Sequence, residues 1–334
     1  MTRIHRYNPV YNAIVSLRDD DALLGEAADA DAELARGENR GWMHGMPHAV
    51  KDLRDVRGLP TSHGSPLYAG TIATADAIHV ERIRAAGAIF IGKTNVPELG
   101  LGSQSYNDVF GTTLNAYDPR LTSGGSSGGA ATGMATQVLP TADGTDMMGS
   151  LRNPAAFNNV IGFRPSQGRV PGTSDDPYYT QLSMNGPMGR NVEDTIRLMG
   201  TLAGFDSRAP LSMRDVLPAH DAYRPVDLTS LRIGWLGDYD GYLATEPGVL
   251  ELCERALDVL EDGGAVIEPT MPAYDLDRRW QTLLTLRHWS LARRQPMLDD
   301  PAIRDLLKPE IIWEIEGSIG LTAADISAAS IARA

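Results

Sequence analysis

Hydrophobic and polar positions alternate along this chain in a rhythm that predicts helices and buried strands in turn. Residues 8–38 carry apolar positions in NAIVSL and an alanine-rich stretch ending near Gly37, which predicts a helix. In GWMHGMPHAVKDLRDV the short apolar run 47–50 ends at Lys51 and Asp52, the pattern of a buried strand whose last residue turns polar. Residues 72–86 have helical spacing and stop at Gly87, and AIFIGKT (88–94) follows as a buried strand. Further on, the pattern predicts a helix over 192–204 and a strand over 231–237. A helix over 245–264 follows, with Thr245 as N-cap and Pro247 in its first turn, then a strand over 265–269. A final helix over 322–334 opens on TAAD, a capping-box-like start. No internal repeat interrupts this order. Strands alternating with helices point to an α/β fold.

The segment 122–149 is rich in glycine and would read as a linker on composition. Met134, Val138 and Leu139 are interleaved in it, however, and its glycines cluster at the ends of a plausible helix and strand. Small residues there allow backbone and helix to pack closely.

Composition narrows the classes of function. The chain has 334 residues, 42% of them hydrophobic, enough for a sizeable core in a single domain. A formal net charge of −13 argues against nucleic acid or an anionic membrane as the main partner. One cysteine, Cys253, excludes an internal disulfide framework and a cysteine-rich zinc site, and its helical pattern predicts a packing role. No signal-peptide stretch opens the sequence and no segment approaches the ~20 apolar residues of a membrane span, so a cytoplasmic location is the default expectation. Of 30 Lys+Arg, only Lys51, Lys93 and Lys308 are lysines, which singles each of them out.

GGSSG (124–128) fits the nucleophile-elbow pattern G-x-S-x-G with Ser126 as nucleophile. Any Gly/Ser-rich loop meets that pattern easily. The preceding NAYDPRLTS is polar, with no apolar strand, and only His220 and His288 follow as candidate bases. Read alone, Lys51 is a solvated strand end, and Ser126 and Ser150 are ordinary turn residues.

The longer string is more specific. GGSSGG (124–129) followed by ADGTDMMGSLRNPAAFNNVIGFRPSQGRVPG (142–172) resembles the amidase signature family. HGMPHAVKDL and GKTNVPELGLGSQSYNDVFGTTLNAYDP upstream look like that family too. The resemblance runs from about residue 8 to the end and is densest over 44–190. It implies an α/β fold with a large mixed sheet between helical layers, and hydrolysis of a carboxylic amide to an acid plus ammonia or amine. By position it makes Lys51 the catalytic lysine, Ser126 the bridging serine (which in the family usually follows a cis peptide bond) and Ser150 the nucleophile. The family's 24-position separation of the two serines holds here, since 150 − 126 = 24. Backbone N–H groups of Met147, Met148 and Gly149 become the candidate oxyanion donors, and Asp146 and Arg152 an expected buried pair that fixes their loop. No metal or organic cofactor is implied. The partner is a small-molecule amide, and a homodimer is compatible with the resemblance.

The chemistry is physically sound. A lysine at the end of a buried strand is desolvated, which lowers its pKa and frees it to accept a proton. A hydroxyl both donates and accepts, so Ser126 could pass the proton of Ser150 to Lys51 and return it to the leaving amine.

Two features depart from the family. Met148 stands where glycine is common, and methionine resists positive φ. Family members also usually continue well past residue 334, with strands of the sheet and part of the pocket in that region. A free-standing amidase fits NVIGFRPSQGRVPG better than the glutamine-hydrolysing subunit of a tRNA-dependent amidotransferase. The competing hypotheses are an α/β-hydrolase-type esterase using Ser126 with a histidine base, and an inactive truncated homologue acting as a binding module.

Overall fold

A computed structural model of the chain describes residues 1–174, 181–273 and 275–333. Residues 175–180 of the expected 44–190 core, and residue 334 of the final helix, lie outside these. The N-terminal helix expected over 8–38 proves to be three elements. Helix α1 (Thr2–Tyr11) stops at Asn12, which is left-handed at φ 50°, and strand β1 (Ile14–Val15) follows. Asn8 holds the break: its side chain accepts from the Ile14 N–H at 2.7 Å and donates to the Ile14 carbonyl at 2.8 Å. Asp19 then caps helix α2 (Asp20–Ala35), accepting from the Ala22 N–H at 3.0 Å. Short polar side chains that bond the local backbone override a helical apolar rhythm.

Strand β2 (Pro47–Lys51) includes the polar residue expected at its end. Helix α3 (Ile78–Ala85) starts later than the expected 72, and strand β3 (Ile89–Thr94) lies where the apolar run predicts it. β3 is the centre of a sheet in the order β1–β3–β2, parallel to β2 and antiparallel to β1. Successive side chains point to opposite faces. Ala49 and Ile91 therefore join one core, while Val50 and Phe90 join another.

After a small hairpin, β4 (Tyr106–Asn107) and β5 (Gly111–Thr112), the glycine-rich segment folds as helix α4 (Gly128–Ala135) and strand β6 (Ala142–Asp146). A Cβ on Gly129 would come within 2.3 Å of the Asn95 nitrogen, so glycine lets α4 lie against the end of β3. Helix α5 (Arg152–Phe157), strand β7 (Ile161–Gly162), strand β8 (Met184–Gly189) and helix α6 (Val192–Leu202) follow. A second antiparallel sheet has the order β6–β8–β7. Helix α4 supplies Ala130, Ala131 and Met134 to one core, and α3 and α6 supply Val80, Ile83, Leu198 and Leu202 to the other. The α/β layering is the expected one. Its sheet consists of two three-stranded parts set side by side, joined where the Lys51 N–H donates to Asp143 Oδ1 at 3.3 Å.

Downstream, β9 (Arg232–Trp235) and β10 (Val266–Pro269) pair in parallel around helix α7 (Val249–Asp262). The expected Thr245 cap is not used: the helix begins after Gly248 at φ 90°, which leaves Pro247 outside it. No α7 residue is buried, and Cys253 is exposed, which corrects its expected packing role. Helices α8 (Leu276–Leu291), α9 (Pro296–Asp299), α10 (Pro301–Arg304), α11 (Pro309–Glu316) and α12 (Ala323–Arg333) complete the described chain. Thr322 and Asp325 form the expected reciprocal cap of α12, at 2.8 Å and 3.2 Å. Leu286 of α8 and Ala329 of α12 pack with Leu182, and Met147 packs against them. Among the described residues no helix is long and apolar enough to cross a membrane.

Candidate active site

Three chain segments converge at one end of the two sheets: the end of β2, the turn into α4 and the loop that leaves β6. Lys51 closes β2 and is fully buried. Its Nζ is caged by three hydroxyls, Ser126 Oγ at 2.8 Å, Ser127 Oγ at 2.7 Å and Thr145 Oγ1 at 2.8 Å, with the Thr145 carbonyl at 3.5 Å. A neutral amine has two N–H donors and one lone pair, so this cage suits it: two bonds given and one received from a hydroxyl. Burial first, then the charge of Arg54, pull Lys51 well below its usual range, against the opposing charges of Asp143 and Asp146.

Ser126 and Ser127 sit immediately before α4 and are buried, and the Gly125–Ser126 peptide bond is cis. Ser127 and Thr145 are not singled out by sequence reasoning. Both lie inside the strings that carry the resemblance, GGSSGG and GTDMMGS, and a count of Lys51's hydrogen-bond capacity is the signal that finds them.

Behind the cage lies a buried polar cluster. Asp143 Oδ1 is 3.2 Å from His48 Nε2, and its Oδ2 is 3.5 Å from His79 Nε2. Burial pushes the Asp143 carboxyl up, but the hydrogen bond with His48 and the nearby His79 ring hold it well below the usual carboxylate range. The Lys51 N–H donates to the same carboxylate, which anchors the end of β2 to β6.

Ser150 is half-buried in the loop that leaves β6. Its carbonyl accepts from the Ser127 N–H at 3.1 Å, which fixes the two serine segments together. The first leg of the expected relay, Lys51 to Ser126, is formed. The second is not: among the described residues Ser150 Oγ makes no hydrogen bond, to Ser126 or to any other group.

The loop itself is held by Asp146. Its carboxylate is fully buried and accepts from the Gly149 N–H at 2.8 Å, the Leu151 N–H at 3.2 Å and Arg152 at 2.9 and 3.0 Å. The pair with Arg152 is buried on one side only, since the arginine side chain is 53% exposed. The Gly149 N–H, one of the three expected oxyanion donors, is thus occupied by Asp146. Those of Met147, Met148 and Ser150 have no acceptor among the described residues. Gly149 takes the positive φ, 116°, so Met148 is spared the conformation that methionine resists. The Met148 side chain turns toward Arg287 of α8, which is paired with Glu314 of α11 at 2.6 and 2.7 Å.

Neither histidine of the esterase hypothesis reaches Ser126. His288 packs edge-on to Trp313, ring centroids 4.8 Å apart, and His220 lies in an exposed turn. Among the described residues no group of His, Cys, Asp and Glu could hold a metal ion.

The Amidase family profile matches residues 1–306. A glutamyl-tRNA(Gln) amidotransferase subunit of Pseudomonas putida (strain GB-1) is 37% identical over 268 residues, 80% of this chain and 55% of that protein. An acylamidase of Rhodococcus erythropolis is 36% identical over 272 residues, 81% of this chain and 57% of that protein. The chain thus spans a little over half the length of these relatives. Among solved structures, a bacterial aryl acylamidase of the amidase signature enzymes superposes with a TM-score of 0.87 at 28% identity, covering 99% of this chain and 70% of that one. Peptide amidase from Stenotrophomonas maltophilia superposes at 0.79 and 28% identity, covering 99% and 74%.

Proposed function

Since the chain belongs to the amidase signature family, we propose that it hydrolyses a carboxylic amide through an acyl-enzyme on Ser150, with Lys51 as base and Ser126 as bridge. The observation that carries this reading is the Lys51 Nζ to Ser126 Oγ contact of 2.8 Å inside a cage of neutral hydroxyls. Neutral Lys51 draws a proton from Ser126, which takes one from Ser150 as its Oγ attacks the amide carbon. The oxyanion is received by the free N–H groups of Met147, Met148 and Ser150, each such donor contributing roughly 3 kcal/mol to the transition state. Collapse breaks the C–N bond, and the proton held at Lys51 returns through Ser126 to the leaving nitrogen. Water then attacks the acyl-enzyme by the same relay, giving the acid and restoring Ser150. Among the described residues Ser150 Oγ is not bonded to Ser126, so the scheme requires that this contact form when substrate binds.

Asp146 is a positioning residue in this scheme: by taking the Gly149 N–H it turns that peptide away and sets the neighbouring N–H groups. The decisive experiment is labelling with a serine-reactive fluorophosphonate, followed by peptide mapping. Ser150 should carry the adduct, and Ser126→Ala and Lys51→Met should slow its formation. Label on Ser126 with Ser150 spared sinks the assignment. The identity to a glutamyl-tRNA(Gln) amidotransferase component supports a second reading, glutamine hydrolysis in the service of a partner protein. Turnover of simple aliphatic or aromatic amides by the chain alone favours the free amidase, and turnover of glutamine only favours the second. Folded chain with no turnover of either points to the binding-module hypothesis.

A further inference from the structure

Arg54 lies three residues beyond Lys51, half-buried, and its charge has no carboxylate partner among the described residues. Other arginines of the fold are matched to acids: Arg18 to Glu26, Arg84 to Asp76, Arg152 to Asp146, Arg208 to Glu81, Arg287 to Glu314. The acids whose charge reaches Arg54 are Asp143 and Asp55, and among the described residues neither forms an ion pair or hydrogen bond with it. Asp143 is held by His48 and the Lys51 N–H, with His79 beside it, and Asp55 is solvent-exposed and acts only through space.

The side chain is nonetheless held in place. Arg54 Nε donates to Asn185 Oδ1 at 2.7 Å, and the Arg54 carbonyl accepts from Lys93 Nζ. Asn185 stands directly opposite Thr145 in the β6–β8 ladder, and Thr145 Oγ1 is a wall of the Lys51 cage. The guanidinium is therefore fixed by its Nε one ladder rung from the reacting centre. Its Nη1 has only the Leu53 carbonyl at 3.3 Å, and its Nη2 has no partner among the described residues. A guanidinium anchored at Nε with its outer nitrogens uncommitted is the fork that receives a carboxylate. Arg294, which also forms no ion pair among the described residues, contributes to the same field. Its influence and that of Arg54 and Lys93 reach His63, whose pKa is lowered to about 4 by burial first and then by these cations, against the pull of Asp55.

We infer that Arg54 is a substrate-binding residue and that the amide cleaved here bears a second group, a carboxylate, that docks on its outer nitrogens. The inference rests on the reading of Lys51, Ser126 and Ser150 as the reacting centre. It narrows the substrate class to monoamides of dicarboxylic acids and their analogues, and it makes Arg54, not the bulk charge of the chain, the source of anion affinity.

The test uses the full chain in two ways. In turnover, kcat/KM is measured for short ω-carboxylated amides, malonamate through adipamate, and for alkyl amides of equal length. Arg54→Gln should lower the ratio of carboxylated to alkyl substrate roughly ten- to a hundredfold, the size of a lost charge-assisted hydrogen bond, with partial recovery in Arg54→Lys. Any effect of the substitution on Lys51 acts on both substrates and cancels in the ratio. In binding, malonate through adipate and the matching diamides are titrated calorimetrically into Ser150→Ala and into the Ser150→Ala, Arg54→Gln double variant. At least one dicarboxylate should bind more tightly than its diamide, and that preference should vanish in the double variant. An unchanged ratio, or no dicarboxylate preferred over its diamide, overturns the inference. If Ser150→Ala retains full turnover, the reading of the reacting centre falls instead, and calorimetry alone decides the role of Arg54.

Discussion

Replacing Lys51 by methionine tests whether the buried amine is neutral, and the structure sets the size and sign of the effect. Methionine fills similar volume in a fully buried site. It removes the base, so turnover should fall about 10²–10⁴-fold, equivalent to roughly 3–5 kcal/mol of transition-state stabilisation. Stability behaves differently. Three hydroxyl contacts are lost, at about 1 kcal/mol each, while the penalty of burying an amine disappears. The informative quantity is the pH dependence of the difference. The folded-state pKa of Lys51 lies well below the ordinary lysine value of 10.5, because of burial first and Arg54 second. Between those two values the unfolded chain binds a proton at this site that the folded chain does not. Wild-type stability therefore rises with pH across that window, by about 1.4 kcal/mol per unit from this group alone, and levels off above 10.5. The variant has no such slope. Its stability relative to wild type should be most favourable near neutral pH and should shrink as the pH approaches 10. Urea midpoints of both proteins from pH 7 to 10, converted with a shared m-value, give the difference directly. A difference that stays flat with pH means Lys51 is protonated in the folded chain, and the proposed base does not exist.

Three further predictions address the surrounding loop and surface. Gly149→Ala forces a side chain onto φ 116° and within 2.7 Å of Asn153 Oδ1. It should destabilise the chain by about 1–3 kcal/mol and cut kcat more than KM, and wild-type kinetics with an unchanged melting temperature would show the loop is not set as described. Asp146→Asn replaces a carboxylate that accepts four hydrogen bonds and should cost about 2 kcal/mol at pH 7. Because burial raises the Asp146 pKa but Arg152 and the two N–H groups lower it further, its contribution is present above the ordinary aspartate value and is lost as pH falls through the lower folded value; midpoints at pH 7 and pH 3 should therefore converge between variant and wild type. Exposed Cys253 should react at once with a thiol reagent in the native chain without loss of turnover, and slow labelling would place it in a contact surface.

The legible parts of the chain are those where one signal acts alone. The strand ending at Lys51 is an uninterrupted apolar run closed by a charge, and β3 is another, so the pattern places both to within a residue. The N-terminal break is hidden because apolar spacing continues across it; the determinants are Asn8, Asn12 and Asp19, whose side chains replace helical bonds with local ones. The Thr245 cap fails for a similar reason, since Gly248 supplies the left-handed turn that starts α7. In the site, the resemblance points to Lys51, Ser126 and Ser150 by position, but not to the direction in which each N–H points. That the Gly149 N–H is taken by Asp146 depends on where that carboxylate lies, which is a tertiary fact. Arg54 is invisible in the sequence for the same reason: an arginine in a polar stretch reads as surface until its half-buried place against Asn185, with no ion pair among the described residues, is seen in three dimensions.

The use of lysine in this chain is itself an argument about mechanism. All three lysines are buried, Lys51 and Lys93 completely and Lys308 to within 5% exposure, while the other cations are arginine. Arginine cannot give up its proton in a protein, so a chain that uses it everywhere on the surface reserves the titratable cation for the interior. Burial alone does not make a base, however, and the three sites differ in what they offer the amine. Lys93 faces the Asp52 carboxylate at 3.6 Å and donates to a carbonyl, partners that favour the charged form. Lys308 lies over the Tyr106 ring at 3.8 Å, a cation–π contact that also favours charge. Around Lys51 the close partners are hydroxyls, which accept from an ammonium and donate to an amine with equal ease. Burial lowers the pKa of all three lysines, but at Lys93 and Lys308 nearby carboxylates oppose it, whereas at Lys51 the close partners are hydroxyls and the lowering is greatest. In the proposed relay, the capacity of Lys51 to take a proton from Ser126 depends as much on Ser127 and Thr145 as on depth, and Thr145→Asp should abolish turnover while leaving the lysine just as buried.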